Sequence, residues 1–229
     1  MKPWRGTGGL LLGLICLPGA CVAGAIHGTV LLEGTAPAAK KMPVTIDQYL
    51  CGKEKDADDL ILSARGEISN VVVWLENPPA GAVWPKDAEK VAIDQNGCSF
   101  VPRVTVVPVG GTVDFLNSDR LLHNIHATPQ LNASFNRTQP KNRTIPVTFS
   151  KAEIIRVDCD LHAWMTAWVV VASHPYHAVT KADGQFTFDD LPAGSYRLRI
   201  WHERLGTLER EVRLPEKANA AVKVEMKMR

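Results

Sequence analysis

The sequence predicts an all-β protein of the sandwich or Greek-key type. Three observations carry the prediction. Short β-branched and aromatic runs recur along the chain, Gly, Pro and Asn turn signals separate them, and no amphipathic pattern lasts three helical turns. The 229 residues, 45% hydrophobic and 22% charged, suffice for one large or two small domains and are too apolar for disorder. A formal net charge of +2 gives no reason to expect nucleic acid or an acidic polymer as partner.

The first segment is a targeting signal. Lys2 and Arg5 precede the apolar run 10–17, and Ala23-Gly24-Ala25 supplies small residues for cleavage, so residues 1–25 read as a secretory signal peptide. The run is too short to span a bilayer, and no later run approaches that length. A lipid anchor at Cys21 is disfavoured, because Leu17 stands one place too far back for the usual attachment motif.

Strands then follow. Residues 71–75 form a β-branched, aromatic run that stops at Glu76-Asn77-Pro78-Pro79. Residues 104–109 and 112–116 flank Gly110-Gly111 and read as a hairpin. Residues 129–144 lack a strand pattern and read as a polar surface loop, with Asn-x-Ser/Thr sequons at Asn132, Asn136 and Asn142. Residues 154–157 and 168–172 are strands on either side of a tight turn, and 185–188 and 196–201 flank Leu191-Pro192-Ala193-Gly194.

That tight turn is the most informative segment. It reads Cys159-Asp160-Leu161-His162-Ala163-Trp164-Met165, with His123 upstream on a neighbouring strand. One thiolate, two imidazoles and a weak axial thioether are the ligand set of a type 1 (blue) copper centre. The thiolate donates strongly to Cu(II), the imidazoles serve both oxidation states, and the thioether favours Cu(I). A ligand loop pinned between strands supplies the rigidity that electron transfer needs. The far ring edge of His162 is expected at the surface, ringed by a docking patch of Leu161, Ala163 and Trp164. His126, three residues from His123, is expected on the opposite strand face. In an oxidising compartment the three cysteines beyond the signal leave one unpaired; pairing Cys51 with Cys98 leaves Cys159 as the ligand.

The segment from about 104 to 172 resembles a cupredoxin, its ligand loop spaced as in amicyanin. His123-Asn124-Ile125-His126 resembles the stretch carrying the upstream ligand, and Gly111-Thr112-Val113-Asp114-Phe115-Leu116-Asn117 resembles the strand before it. The resemblance implies copper on His123, Cys159, His162 and Met165, with Asn124 steadying the loop. Ala163 stands where many relatives have Pro, which implies a looser loop from which His162 can dissociate when reduced. Asp158 and Asp160 flank Cys159 and favour Cu(II). Arg103 stands where similar multidomain bacterial proteins often have His, so an auxiliary ligand is lacking.

A second resemblance lies downstream. The stretches 178–186 and 191–196, with the Asp183-Gly184 hairpin turn, resemble the carboxypeptidase regulatory-like (transthyretin-like) β-sandwich, and so does the opening stretch Ile26-His27-Gly28-Thr29-Val30. The fold implied is a Greek-key cupredoxin sandwich (91–173) inserted in a second small sandwich made from 26–90 and 174–229.

Together these readings imply a periplasmic carrier of single electrons that docks transiently to redox partner proteins and is not an enzyme. The alternative is copper storage, delivery or sensing. Four protein ligands leave no position open for substrate, and no nucleotide loop, zinc-hydrolase helix or serine elbow is present.

Overall fold

The structure, a computed structural model, describes residues 23–228. Most of the expected signal peptide, with Cys21, lies outside the described residues. The chain opens with β1 (Gly24–Glu33), β2 (Lys41–Pro43), the helical turn α1 (Gln48–Cys51), β3 (Glu54–Asp56) and β4 (Val72–Leu75). There follow β5 (Lys90–Gln95), β6 (Phe100–Val101), β7 (Val104–Pro108), β8 (Thr112–Asn117), β9 (His123–Ala127), β10 (Phe135–Gln139), β11 (Ile145–Thr148), β12 (Glu153–Asp158) and β13 (Thr166–Ala172). The chain closes with β14 (His177–Val179), β15 (Gln185–Leu191), β16 (Gly194–His202), β17 (Gly206–Leu214) and β18 (Ala220–Lys227). Strand β1 begins two residues before the expected cleavage point, and the Ala25 N–H donates to Asn219 Oδ1.

Two sandwiches result, one interrupting the other. The outer one packs sheet β15-β1-β18 against sheet β14-β4-β16-β17. Its core takes Ile26 and Val30 from β1, Val73 and Leu75 from β4, Phe186 and Phe188 from β15, and Leu198 and Ile200 from β16. Strand β1 lies parallel to β18 and antiparallel to β15, so the start of the chain is built into a sheet made at its end. The inner sandwich packs β10-β9-β12-β13-β7 against β11-β8-β5-β6. Parallel pairs β5–β8 and β7–β13 within antiparallel surroundings give it the Greek-key order of a cupredoxin. Its core includes Ile93, Val113, Phe115, Ile125, Ile155, Val157 and Val169.

The junction explains two runs that do not alternate. In β4, Val73 and Leu75 face the outer core, while Val72 and Trp74 face a third cluster holding Val104, Val170, Trp168 and Trp201. In β13, Val169 and Val171 face the inner core, while Trp168 and Val170 face the same junction. Strands buried on both faces read as continuous apolar runs. Each fully buried Val contributes about 1.5–3 kcal/mol.

Three local expectations are corrected. Gly110-Gly111 is not a hairpin turn, since β7 and β8 belong to opposite sheets of the inner sandwich. It is a corner: Gly110 has φ 85°, and a Cβ on Gly111 would lie 2.6 Å from Val107 Cγ2 and 2.9 Å from the Pro108 oxygen. Asp183-Gly184 likewise joins strands of different sheets, although Gly184 does take a positive φ. The stretch 129–144 contains β10, paired along its length with β9. Only its ends, Phe135 and Gln139, are buried, so the edge strand shows no alternation in sequence.

Residues 34–60 form a strap. Strands β2 and β3 pair with each other alone, α1 lies between them, and Cys51 is disulfide-bonded to Cys98 of the inner sandwich. No helix among the described residues is long and apolar enough to cross a membrane.

Candidate metal centre

The centre is built where β9 meets the turn between β12 and β13. Strand β9 alternates, placing His123 and Ile125 inward at 0% exposure, while His126 is partly exposed on the other face. The turn is held by its own backbone: the Cys159 N–H donates to the Met165 carbonyl (3.2 Å), and the Met165 N–H to the His162 carbonyl (2.8 Å). Asn124 ties β9 to the turn. Its Oδ1 accepts from the Asp160 N–H (2.7 Å), and its amide donates to Asp160 Oδ2 and Asn136 Oδ1.

Three donor atoms converge. His123 Nδ1 and His162 Nδ1 are 2.9 Å apart, and Cys159 Sγ lies 3.8 Å from the first and 3.6 Å from the second. The point equidistant from all three is about 2.0 Å from each, the length of a metal–imidazole bond. These three residues are the one group of its kind among the described residues, and all are buried. Met165 is buried in the same core cluster as Cys159.

The far ring nitrogens fix the near ones. His123 Nε2 is 2.9 Å from Asp119 Oδ2, and His162 Nε2 is 3.2 Å from Asp47 Oδ2. A carboxylate only accepts, so each Nε2 carries the proton and each Nδ1 presents a lone pair. Two buried lone pairs facing each other at 2.9 Å, with a sulfur beside them, repel unless a cation sits between. The donor set therefore fits a metal ion.

Electrostatics support the same reading. Burial pushes His123 below its usual pKa, with the Asp119 hydrogen bond pulling the other way, so the ring favours its neutral, ligating form. Burial pushes the Cys159 thiol up, opposed by the backbone N–H groups of Asn124, His162 and Leu161. A cation must displace that proton to bind. Asp160 is occupied by His126, Asn124 and Asn136, the His126 hydrogen bond chiefly holding it below the usual carboxylate range. Asp158 is engaged by Arg156 and Thr166.

Two expectations about His162 are overturned. Its ring edge is not at the surface, because the ring is 0% exposed and Asp47 of the strap covers Nε2. The dissociation implied by Ala163 thus meets a capped ring instead of solvent. Nor do Leu161, Ala163 and Trp164 make one exposed patch. Leu161 and Ala163 are exposed, but Trp164 is 8% exposed and packs edge-on against His162 (5.1 Å between ring centres). Its indole N–H is spent on the Cys98 carbonyl (3.0 Å). A Trp with its N–H satisfied next to a disulfide belongs to the core.

Asp47 and Asp119 were not legible as site residues. The Asp47 contact spans 115 residues. A cue existed in the pairing of Cys51 with Cys98, which brings the 47–51 segment towards the site.

The family model of the carboxypeptidase regulatory-like domain matches residues 165–227. No curated protein matches. Similar solved structures include a copper-containing nitrite reductase from Thermus scotoductus SA-01, 24% identical over 43% of this chain, with a TM-score of 0.35. This chain covers 25% of that reductase. A purple cupredoxin from Nitrosopumilus maritimus is 21% identical over 36% of this chain and 99% of its own (TM-score 0.32). An oxidised amicyanin variant is 22% identical over 44% of this chain and 98% of its own (TM-score 0.35). The chain joins a sandwich with the Greek-key strand order of a cupredoxin to one whose β14–β18 lie within the stretch similar to the carboxypeptidase regulatory-like domain.

Proposed function

We propose that this chain is a periplasmic type 1 copper protein that carries single electrons between redox partner proteins. The observation that supports this best is the convergence of His123 Nδ1, His162 Nδ1 and Cys159 Sγ, with both imidazole lone pairs turned inward by carboxylates. Bound copper supplies a one-electron couple that needs no open coordination position. Cys159, His123 and His162 would hold the ion, and Met165, buried in the same core cluster as Cys159, would be a further soft donor. Residues 91–173 form the electron-carrying unit, and 26–90 with 174–229 form a sandwich that holds it. The burial of His123, Cys159, His162 and Met165 suits a carrier rather than a catalyst.

A visible spectrum after adding Cu(II), repeated after ascorbate and after reoxidation, tests this reading. An intense thiolate-to-copper band that bleaches and returns is expected in the native chain and absent from Cys159→Ser. A native chain without that band overturns it. One observation favours a second reading, copper storage, delivery or sensing: both histidine rings are fully buried, that of His162 with Asp47 of the strap on its Nε2. Copper that gives the band yet resists rapid reduction by small proteins supports that role.

A further inference from the structure

Asp47 belongs to neither sandwich, yet it touches the heart of the site. It heads α1 at φ 54°, a left-handed conformation few side-chain-bearing residues adopt. Its carbonyl accepts from the Leu50 and Cys51 N–H groups (3.0 Å each), which sets the turn and aims its side chain. That side chain meets His162 Nε2 (3.2 Å). Cys51, four residues after Asp47 at the end of α1, is bonded to Cys98, which is itself left-handed at φ 56°. From the other half of the bridge, the Cys98 N–H donates to Asp119 Oδ2 (2.8 Å) and the Gly97 N–H to Asp119 Oδ1 (2.7 Å). Asp119 Oδ2 then meets His123 Nε2. One disulfide thus anchors two aspartates, one for each imidazole.

We propose that Asp47 and Asp119 are a pair of positioning carboxylates, anchored through the Cys51–Cys98 bridge, that fix both imidazoles and bias the centre towards the more highly charged metal state. A hydrogen-bonded carboxylate orients a ligating imidazole, fixes its tautomer and raises its basicity. The raised basicity and the nearby negative charge favour a divalent over a monovalent ion. Asp47 also takes the place of water at His162 Nε2. This inference rests on the copper reading for its redox consequence, but the clamp itself concerns only protein groups.

The test uses the full chain with Asp47→Asn, Asp47→Ala and, as a charge control in the outer sandwich, Asp189→Asn. Asp47 is the better target because both Asp119 oxygens accept backbone N–H groups, so Asp119→Asn would disturb the 97–98 turn as well. Asp47→Asn keeps an acceptor and removes the charge. Its thiolate-to-copper band is expected to persist while the ratio of Cu(II) to Cu(I) affinity falls about tenfold, a rise of about 59 mV for one electron. Asp189→Asn is expected to match the native chain. A second readout needs no copper: in the metal-free and zinc-loaded proteins, the His162 Nε2 proton is expected in nitrogen-edited NMR spectra of the native chain. It is expected to vanish by solvent exchange in Asp47→Ala. An Asp47→Asn potential equal to that of Asp189→Asn, with the band intact, overturns the electrostatic bias. A His162 Nε2 signal unchanged in Asp47→Ala overturns the clamp. Absence of the band in the native chain defeats the copper reading instead, and the NMR comparison still decides the clamp.

Discussion

Arg103 has a measurable structural role. It is 8% exposed and lies between the two sandwiches. Its Nε and Nη2 donate to Glu203 Oε1 and Oε2 (2.5 and 2.8 Å), Nη1 pairs with Asp58 Oδ1, and Nη1 also reaches the Thr166 carbonyl (3.3 Å). One guanidinium therefore joins the strap side, the inner sandwich and the turn after β16. Arg103→Met keeps much of the stem and leaves Glu203 and Asp58 without their counter-charge. Removing one partner of a buried pair costs about 3–5 kcal/mol. Asp58 is about one-third exposed and recovers some hydration, so the low end, about 3 kcal/mol, is expected. That corresponds to a fall of about 6–12 °C in Tm for a chain of this size. Urea and thermal unfolding measure it, and a double-mutant cycle isolates the pair. Arg103→Met with Glu203→Gln is expected to be more stable than Arg103→Met alone, because the stranded charge is gone. A loss below about 1 kcal/mol, or a double variant no better than the single, refutes the reasoning.

Two further outcomes follow from packing and burial. His202 is 1% exposed, its Nδ1 accepts the Arg204 N–H, and burial lowers its pKa from 6.5 to about 4. Because the folded value lies below the unfolded one, the unfolded chain takes the proton first. The stability tied to neutral His202 is therefore full above pH 6.5 and is lost as pH falls towards 4. Urea unfolding of His202→Gln should show a fall between pH 7.5 and 4.5 that is smaller than the native one by about 2–3 kcal/mol; equal slopes would count against it. Gly28 in β1 supports the ring of Phe186, and an added Cβ would lie 2.1 Å from Phe186 Cζ. Gly28→Ala should cost about 1–3 kcal/mol by overpacking the outer core while leaving the Cys159 turn intact. Wild-type stability would show that the ring shifts freely.

How much was legible depends on how far apart the cooperating residues lie. Cys159, His162 and Met165 share one turn, so their spacing alone marks a metal loop between strands. Strand existence was equally plain for residues 71–75 and 168–172, which are apolar enough to be buried on both faces. Strand partnership was not. Gly110-Gly111 has the composition of a hairpin turn, and only the assignment of β7 and β8 to opposite sheets shows that it is a corner. Strand β10 escaped notice because an edge strand with exposed Asn136, Arg137 and Thr138 carries no apolar period. The burial of Trp164 escaped for another reason. An aromatic beside a ligand suits a docking patch or a core equally well, and the partner that decides, the Cys98 carbonyl, lies 66 residues away.

The insertion itself has a physical consequence for the site. The strap leaves β1 and returns towards β4, so both its ends are tethered in the outer sandwich. Its middle is tethered to the inner sandwich by the Cys51–Cys98 bridge and by Asp47 on His162. On the other side of the junction, Arg103 grips Asp58 at the strap's far end and Glu203 beyond β16. The strap thus crosses the junction and is fixed at several points. A free inner sandwich would keep Cys159, His162 and His123 but would lose Asp47 with the chain that delivers it. Closing long loops costs entropy that only a folded frame can offset, and the frame here is the outer sandwich. The two units are therefore coupled through the ligand environment as well as through the Val72, Val104 and Val170 contact. Perturbing the outer core should be felt at His162 Nε2 before it is felt at Cys159, whose own turn is closed by local hydrogen bonds.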